Sequence, residues 1–202
     1  MLSETNLFLI IKDANKSLFT SIDGVIEKKD KAIKLYIFDL LPIIISILIV
    51  TSNGILNESL TNILITGLSI FSGLFFSLIF VVTEKAKEIR KEYTESTDDE
   101  LINFKIRYLN FSKQLIAQIS YSILIALMII LLAFLTKIEL SSDLIRFPNY
   151  FQNGLALSKL IIPKLLYFIL YILLIRFLIV FVIILSSMYS MFLEQINNTK
   201  IK

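Results

Sequence analysis

Charge-free apolar runs alternate with charged segments along this chain. Residues 59–83 form a run of 25 without a charged side chain, and residues 114–136 a run of 23. Either run, wound as a helix, is long enough to cross a hydrocarbon core of about 30 Å. Residues 40–57 form a third run of 18, at the short end of that range. The fourth, residues 160–193, is broken only by Lys164 and Arg176. It exceeds one perpendicular crossing, so either it tilts or its end, residues 186–196, emerges as an amphipathic stem. The pattern predicts an all-α integral membrane protein with four transmembrane helices. Spans 2 and 3 continue out of the bilayer as a helical stem over residues 84–113.

The segments between the runs fill in the domain plan. Residues 1–34 precede any membrane run. Leu7, Phe8, Ile11, Leu18 and Phe19, with Ile10 and Ala14, make an apolar stripe at helical spacing. This helix either lies in the interface or packs on the cytosolic ends of the bundle; the balanced charges around the stripe favour packing. No basic n-region with a cleavage site marks a secretory signal. Asp30 is the expected N-cap of the next helix, and Pro42 is placed to kink the first span. Asp39, Pro42 and Ser46 share a face that should turn toward protein. Ser52, Asn53 and Gly54 supply a tight turn. In the stem, Thr97 and Glu100 have capping-box spacing. Residues 137–160 form the longest outer loop, with interfacial aromatics from Phe147 to Phe151. Residues 35–196 thus hold the transmembrane domain, and residues 197–202 a disordered tail.

Composition narrows the chemistry. Hydrophobic residues make up 56% of 202, above the 45–50% or so of soluble domains. The chain has neither Cys nor His, which removes thiolate nucleophiles, disulfides, the usual zinc sites and imidazole bases. No catalytic motif, metal cluster or cofactor pattern is present, so a non-enzymatic role is expected. The adjacent Asp98 and Asp99 read as a helix start.

Lys and Arg set the expected sidedness. Residues 1–34, 84–113 and the tail carry 15 of them, against 4 in residues 137–164 and none in the first turn. That bias predicts a multi-pass protein with both termini in the cytoplasm. It also accounts for the pI of about 9.0 without direct binding of nucleic acid.

Three groups of residues are candidates for function. Arg176 lies at mid-span, where a charge costs from about 2.5 to 17 kcal/mol and seldom faces lipid. Asp39, Gln118, Tyr121 and Ser122 lie at reachable depth, giving an intramembrane polar set that acts either as a structural ion pair or as part of an ion-linked pathway. Ser69, Gly73 and Ser77 follow a small-xxx-small spacing that admits a close helix neighbour, with a contact inside the monomer favoured over a homo-oligomer contact. On the stem, Ile102, Phe104 and Ile106 are apolar residues that water would not leave bare. With Arg90 and Lys91 they form the expected docking face for a cytosolic protein partner.

Four spans, cytosolic ends, a helical stem and no catalytic residues together resemble the small membrane subunits of the Kiwa anti-phage system (the KwaA family). The resemblance covers the whole chain as architecture. It implies an oligomer embedded in the membrane that senses phage-induced envelope disturbance and holds a cytosolic nucleic-acid-binding partner. From the residues alone, two roles stand: a sensor or scaffold whose stem recruits a partner, and a pore-forming effector that depolarises the membrane. The wholly apolar outer half of the third span, residues 123–134, favours the scaffold.

Overall fold

The computed structural model describes residues 5–19, 35–52, 56–93, 99–137 and 152–199, and every regular element in them is a helix. Helix α1 (Thr5–Phe19) comes first. A π-helical turn (Tyr36–Leu40) leads directly into α2 (Leu41–Thr51). Then follow α3 (Glu58–Tyr93), α4 (Asp99–Lys137) and α5 (Gln152–Thr199). Asp30, Asn53, Gly54, Thr97 and the Phe147–Phe151 aromatics lie outside the described residues, so the cap, the turn, the capping pair and the interfacial loop expected there do too.

Three helices are long and apolar enough to cross a membrane: Glu58–Lys91 in α3, Ile102–Thr136 in α4 and Pro163–Leu193 in α5. The remaining apolar helix, Tyr36–Thr51, is shorter. At 1.5 Å per residue it reaches about 24 Å, less than a core of about 30 Å. Helix α5 is longer than the sequence pattern suggests. It begins at Gln152 and runs to Thr199, taking in residues expected as outer loop and as tail. Leu155, Ala156, Leu157 and Lys159 are strong helix formers, and they extend the helix on the N-terminal side of Pro163.

Helix α4 is the centre of the bundle. Helices α1, α3 and α5 all pack on it, while α2 and the π-helical turn pack on α5. Half of the most apolar stretch of α4 is buried, against 17% for α3 and 28% for α5. Leu115, Ile119, Ser122, Ala126, Ile129 and Ala133 are each 1% exposed or less. Their spacing of three and four draws one seam along α4, and the small residues in it let neighbouring backbones come close.

The flanking helices meet this seam with the same seven-residue period, in which 115, 122 and 129 and also 119, 126 and 133 recur. On α3, Thr61, Leu68, Phe75, Val82 and Ile89 are buried at intervals of seven. On α5, Leu170, Phe177 and Ile184 repeat that interval, with Val180 between. A seven-residue period keeps one stripe inward when helices cross at a shallow left-handed angle. Rings tie α3 to α5: Phe71 meets Phe181 edge-on at 5.2 Å, and Phe75 lies 5.9 Å from Phe181 and 6.5 Å from Phe177.

The small-residue stripe of α3 does not make the contact inside the chain that its spacing suggests. Ser69, Gly73 and Ser77 are exposed, and a Cβ on Gly73 would meet nothing within 4 Å. The larger side chains of the seven-residue stripe bury more apolar area and take the inward position. The outward serines need no neighbour, because Ser69 donates to the Ile65 carbonyl at 2.8 Å and Ser77 to that of Gly73 at 3.3 Å.

Helix α1 lies against α4 with Ala14, Ser17 and Leu18 buried and Ile10 and Ile11 partly so. Phe8, part of the expected apolar stripe, points away and is 71% exposed.

Candidate functional site

Local backbone geometry explains where Asp39 sits. Pro42 has no N–H, so the carbonyl one turn back loses its usual α-helical donor. The chain accommodates this with wider π-helical winding over Tyr36–Leu40, where the Leu41 N–H bonds to the Tyr36 carbonyl. Helical turns of this type recur at functional positions because the added residue re-aims a side chain. Pro42 and Ser46 then face inward and are buried, while Ile43, Ile44, Ile47 and Leu48 face out.

The re-aimed Asp39 meets Arg176 of α5. Asp39 Oδ1 lies 3.7 Å from Arg176 Nη1, with side-chain exposures of 48% and 27%. The separation is that of an ion pair rather than a close hydrogen bond. The guanidinium also lies over the Tyr121 ring of α4, 5.8 Å from its centroid, within cation–π range. The pair and the ring therefore join the π-helical turn, α4 and α5.

Around this centre, three buried polar atoms have no hydrogen-bond partner among the described residues: Gln118 Oε1, Ser122 Oγ and Arg176 Nε. The other buried hydroxyls set the contrast. Ser17, Ser46, Thr61, Ser72 and Ser112 each donate to a backbone carbonyl three or four residues earlier, at 2.7 to 2.9 Å. Ser122 does not, although it is 0% exposed. Unmatched polar groups are costly in a low-dielectric interior and are candidates for function. Gln118 also lines a cavity of about 660 Å³ bounded by α1, the π-helical turn, α4 and α5. Periodicity alone gives no sign of this cavity, which depends on how α1 seats on the bundle.

The stem residues divide between packing and surface. Ile102 and Phe104 are half-buried, and Phe104 sits 6.3 Å from the Tyr108 ring. Ile106 is 40% exposed; Arg90 and Lys91 are exposed. The side of α4 that packs holds Lys105, Tyr108, Phe111 and Ser112, all buried. Burial raises the Tyr108 phenol above its usual pKa. On α3, Lys85 Nζ donates to Glu88 Oε2 at 2.8 Å and holds that carboxyl below the usual carboxylate range. Among the described residues, no three Asp or Glu side chains gather as a metal ion would need.

No protein-family model matches this chain, and neither does any curated protein or solved structure.

Proposed function

We propose that this protein is a non-enzymatic membrane scaffold or sensor that recruits a cytosolic protein through its stem. In this reading it sits in a bacterial inner membrane with both ends in the cytoplasm and acts in anti-phage defence. Helix α2 serves as a short fourth span, with Pro42 buried and Asp39 paired with Arg176 of α5. The outward stripe of Ser69, Gly73 and Ser77 serves as the contact between copies in a homo-oligomer.

One observation carries the choice of a scaffold over a pore. Between Ser122 and Thr136, α4 carries no polar side chain. There the seam is closed by Ile125, Ala126, Ile129 and Ala133, each 3% exposed or less. An ion leaving the Arg176 region along α4 would meet the packed hydrocarbon of this seam, a poor replacement for its hydration shell.

Reconstitution tests this. Vesicles containing the full chain and a potassium-sensitive dye should leak no faster than protein-free vesicles. A sustained leak that Arg176→Leu abolishes would sink the scaffold reading and establish the depolarising pore.

A further inference from the structure

The Asp39–Arg176 pair is covered on one side only. Tyr121 of α4 lies against the guanidinium, yet Asp39 is exposed and the Arg176 side chain partly so. The contact joins one oxygen to one nitrogen, Oδ1 to Nη1. A carboxylate and a guanidinium each have a second such atom to offer. Arg176 stands about 20 Å along its helix from Pro163 and about 26 Å from Leu193, the ends of the apolar stretch. Charges at such depth turn toward protein rather than hydrocarbon. On the same two elements and α2, Ile37, Leu40, Ile43, Leu178 and Val182 are exposed. The open pair is thus a polar island on an apolar surface, and polar groups so placed bind membrane helices to one another.

Symmetry names the occupant. The Lys and Arg bias gives every copy of the chain the same sidedness. A two-fold axis relating two copies then runs along the membrane normal and preserves depth. Asp39 and Arg176 are in contact, so they share one depth. The rotation sets Arg176 of one copy level with the partner's Asp39, and Asp39 level with the partner's Arg176. A patch holding one charge of each sign is self-complementary under this operation, whereas a patch of one sign would repel its own image.

We propose that the face formed by the π-helical turn and α5 is a two-fold contact between copies of this chain. Arg176 of each copy pairs with the partner's Asp39, which closes a ring of four alternating charges. This contact is separate from the outward stripe of α3. It rests on α5 crossing the membrane, and not on whether the stem recruits a partner.

The test uses the full chain in native membranes. The chain has no cysteine, so single cysteines report cleanly. Leu178→Cys should crosslink between copies with a short thiol reagent, while Leu127→Cys on α4, equally exposed, should not. Asp39→Asn should lower the Leu178→Cys crosslink about fivefold, as loss of one such interaction predicts. Charge exchange then separates a contact between copies from a pair within one. Asp39→Arg leaves a copy with two positive charges in the patch, and Arg176→Asp leaves one with two negative charges. Coexpressed with different tags, these variants should form mixed dimers in about tenfold excess over like dimers. A pair acting only within one chain gives no such excess, and that result would overturn the proposal. So would equal crosslinking of the Asp39→Asn and parent chains, which decides the matter if a charge-exchanged variant fails to accumulate. So would Leu178→Cys crosslinking no more than Leu127→Cys. A membrane-impermeant maleimide tells the two possible failures apart. Leu178→Cys that is protected but uncrosslinked removes the contact alone, whereas ready labelling in opened membranes removes the spanning of α5 as well. Ser69→Cys reports the α3 stripe independently.

Discussion

Arg176 of α5 and Asp39 of the π-helical turn face each other at 3.7 Å, and their dependence on each other is unequal. Asp39 deprived of its partner can take up a proton and become neutral, whereas a guanidinium cannot lose one. Asp39→Leu should therefore lower the melting temperature in detergent more than Arg176→Leu. The double variant should recover part of the loss, with a coupling of about 1–3 kcal/mol. Strict additivity across the four proteins would show that Arg176 is served by lipid phosphate or water instead.

The two small-residue patterns should answer differently to the same enlargement. Ala126 is 0% exposed in the α4 seam, and Ala126→Leu should destabilise by about 1–3 kcal/mol or more through overpacking. A Cβ on Gly73 meets nothing within 4 Å, so Gly73→Ala should be neutral or gain up to about 1 kcal/mol from helix propensity. Gly73→Leu should leave the melting of the monomer unchanged and weaken any association between copies. Crosslinking in native membranes measures the second effect. A monomer melting temperature that falls as far for Gly73→Leu as for Ala126→Leu would contradict the arrangement of α3.

How much of this was legible beforehand differs by feature. Apolar runs announce helices because length and hydropathy are local properties. Arg176 and Asp39 stand out because each is an isolated charge bordering hydrocarbon, where few resting places exist. The inward face of α3 was harder. It carries both a small-residue stripe and a seven-residue apolar stripe, and the choice between them rests on the surface of α4. The seam of Ser122, Ala126 and Ala133 was open to the same spacing argument, but the neighbouring isoleucines and leucines mask it. The π-helical turn has one sequence signal, Pro42, which predicts a disturbed hydrogen bond but not how the chain repairs it.

On the stem, surface and packing residues should separate cleanly. Ile106→Glu should change stability by no more than about 0.5 kcal/mol, because the side chain is already exposed. Tyr108→Ala should cost about 3 kcal/mol, because Tyr108 is 5% exposed. Under the scaffold proposal, Ile106→Glu nonetheless reduces the amount of soluble partner that copurifies. Chemical denaturation and copurification from the native host read out the two effects independently.

Lys85 lowers the pKa of Glu88 in the folded stem. A carboxyl depressed in the folded state contributes stability that is present above its unfolded pKa. That contribution is lost as pH falls through the folded value. The stem should therefore loosen slightly on acidification below the ordinary carboxylate range, and Glu88→Gln should remove that part of the pH dependence. Both side chains are exposed, so the effect is small and salt should weaken it. Amide exchange on residues 85–91, followed with pH, measures it.

The buried stripe of α3 passes from Thr61 to Ile89 without a break, and no proline interrupts the 36 residues of the helix. The helix is thus a single lever about 54 Å long. A tilt of about 10° at its membrane end carries the far tip sideways by roughly 9 Å, a distance comparable to the width of a helix. Thinning or stretching of the bilayer, which changes the tilt of long apolar helices, would be magnified mechanically at the exposed end.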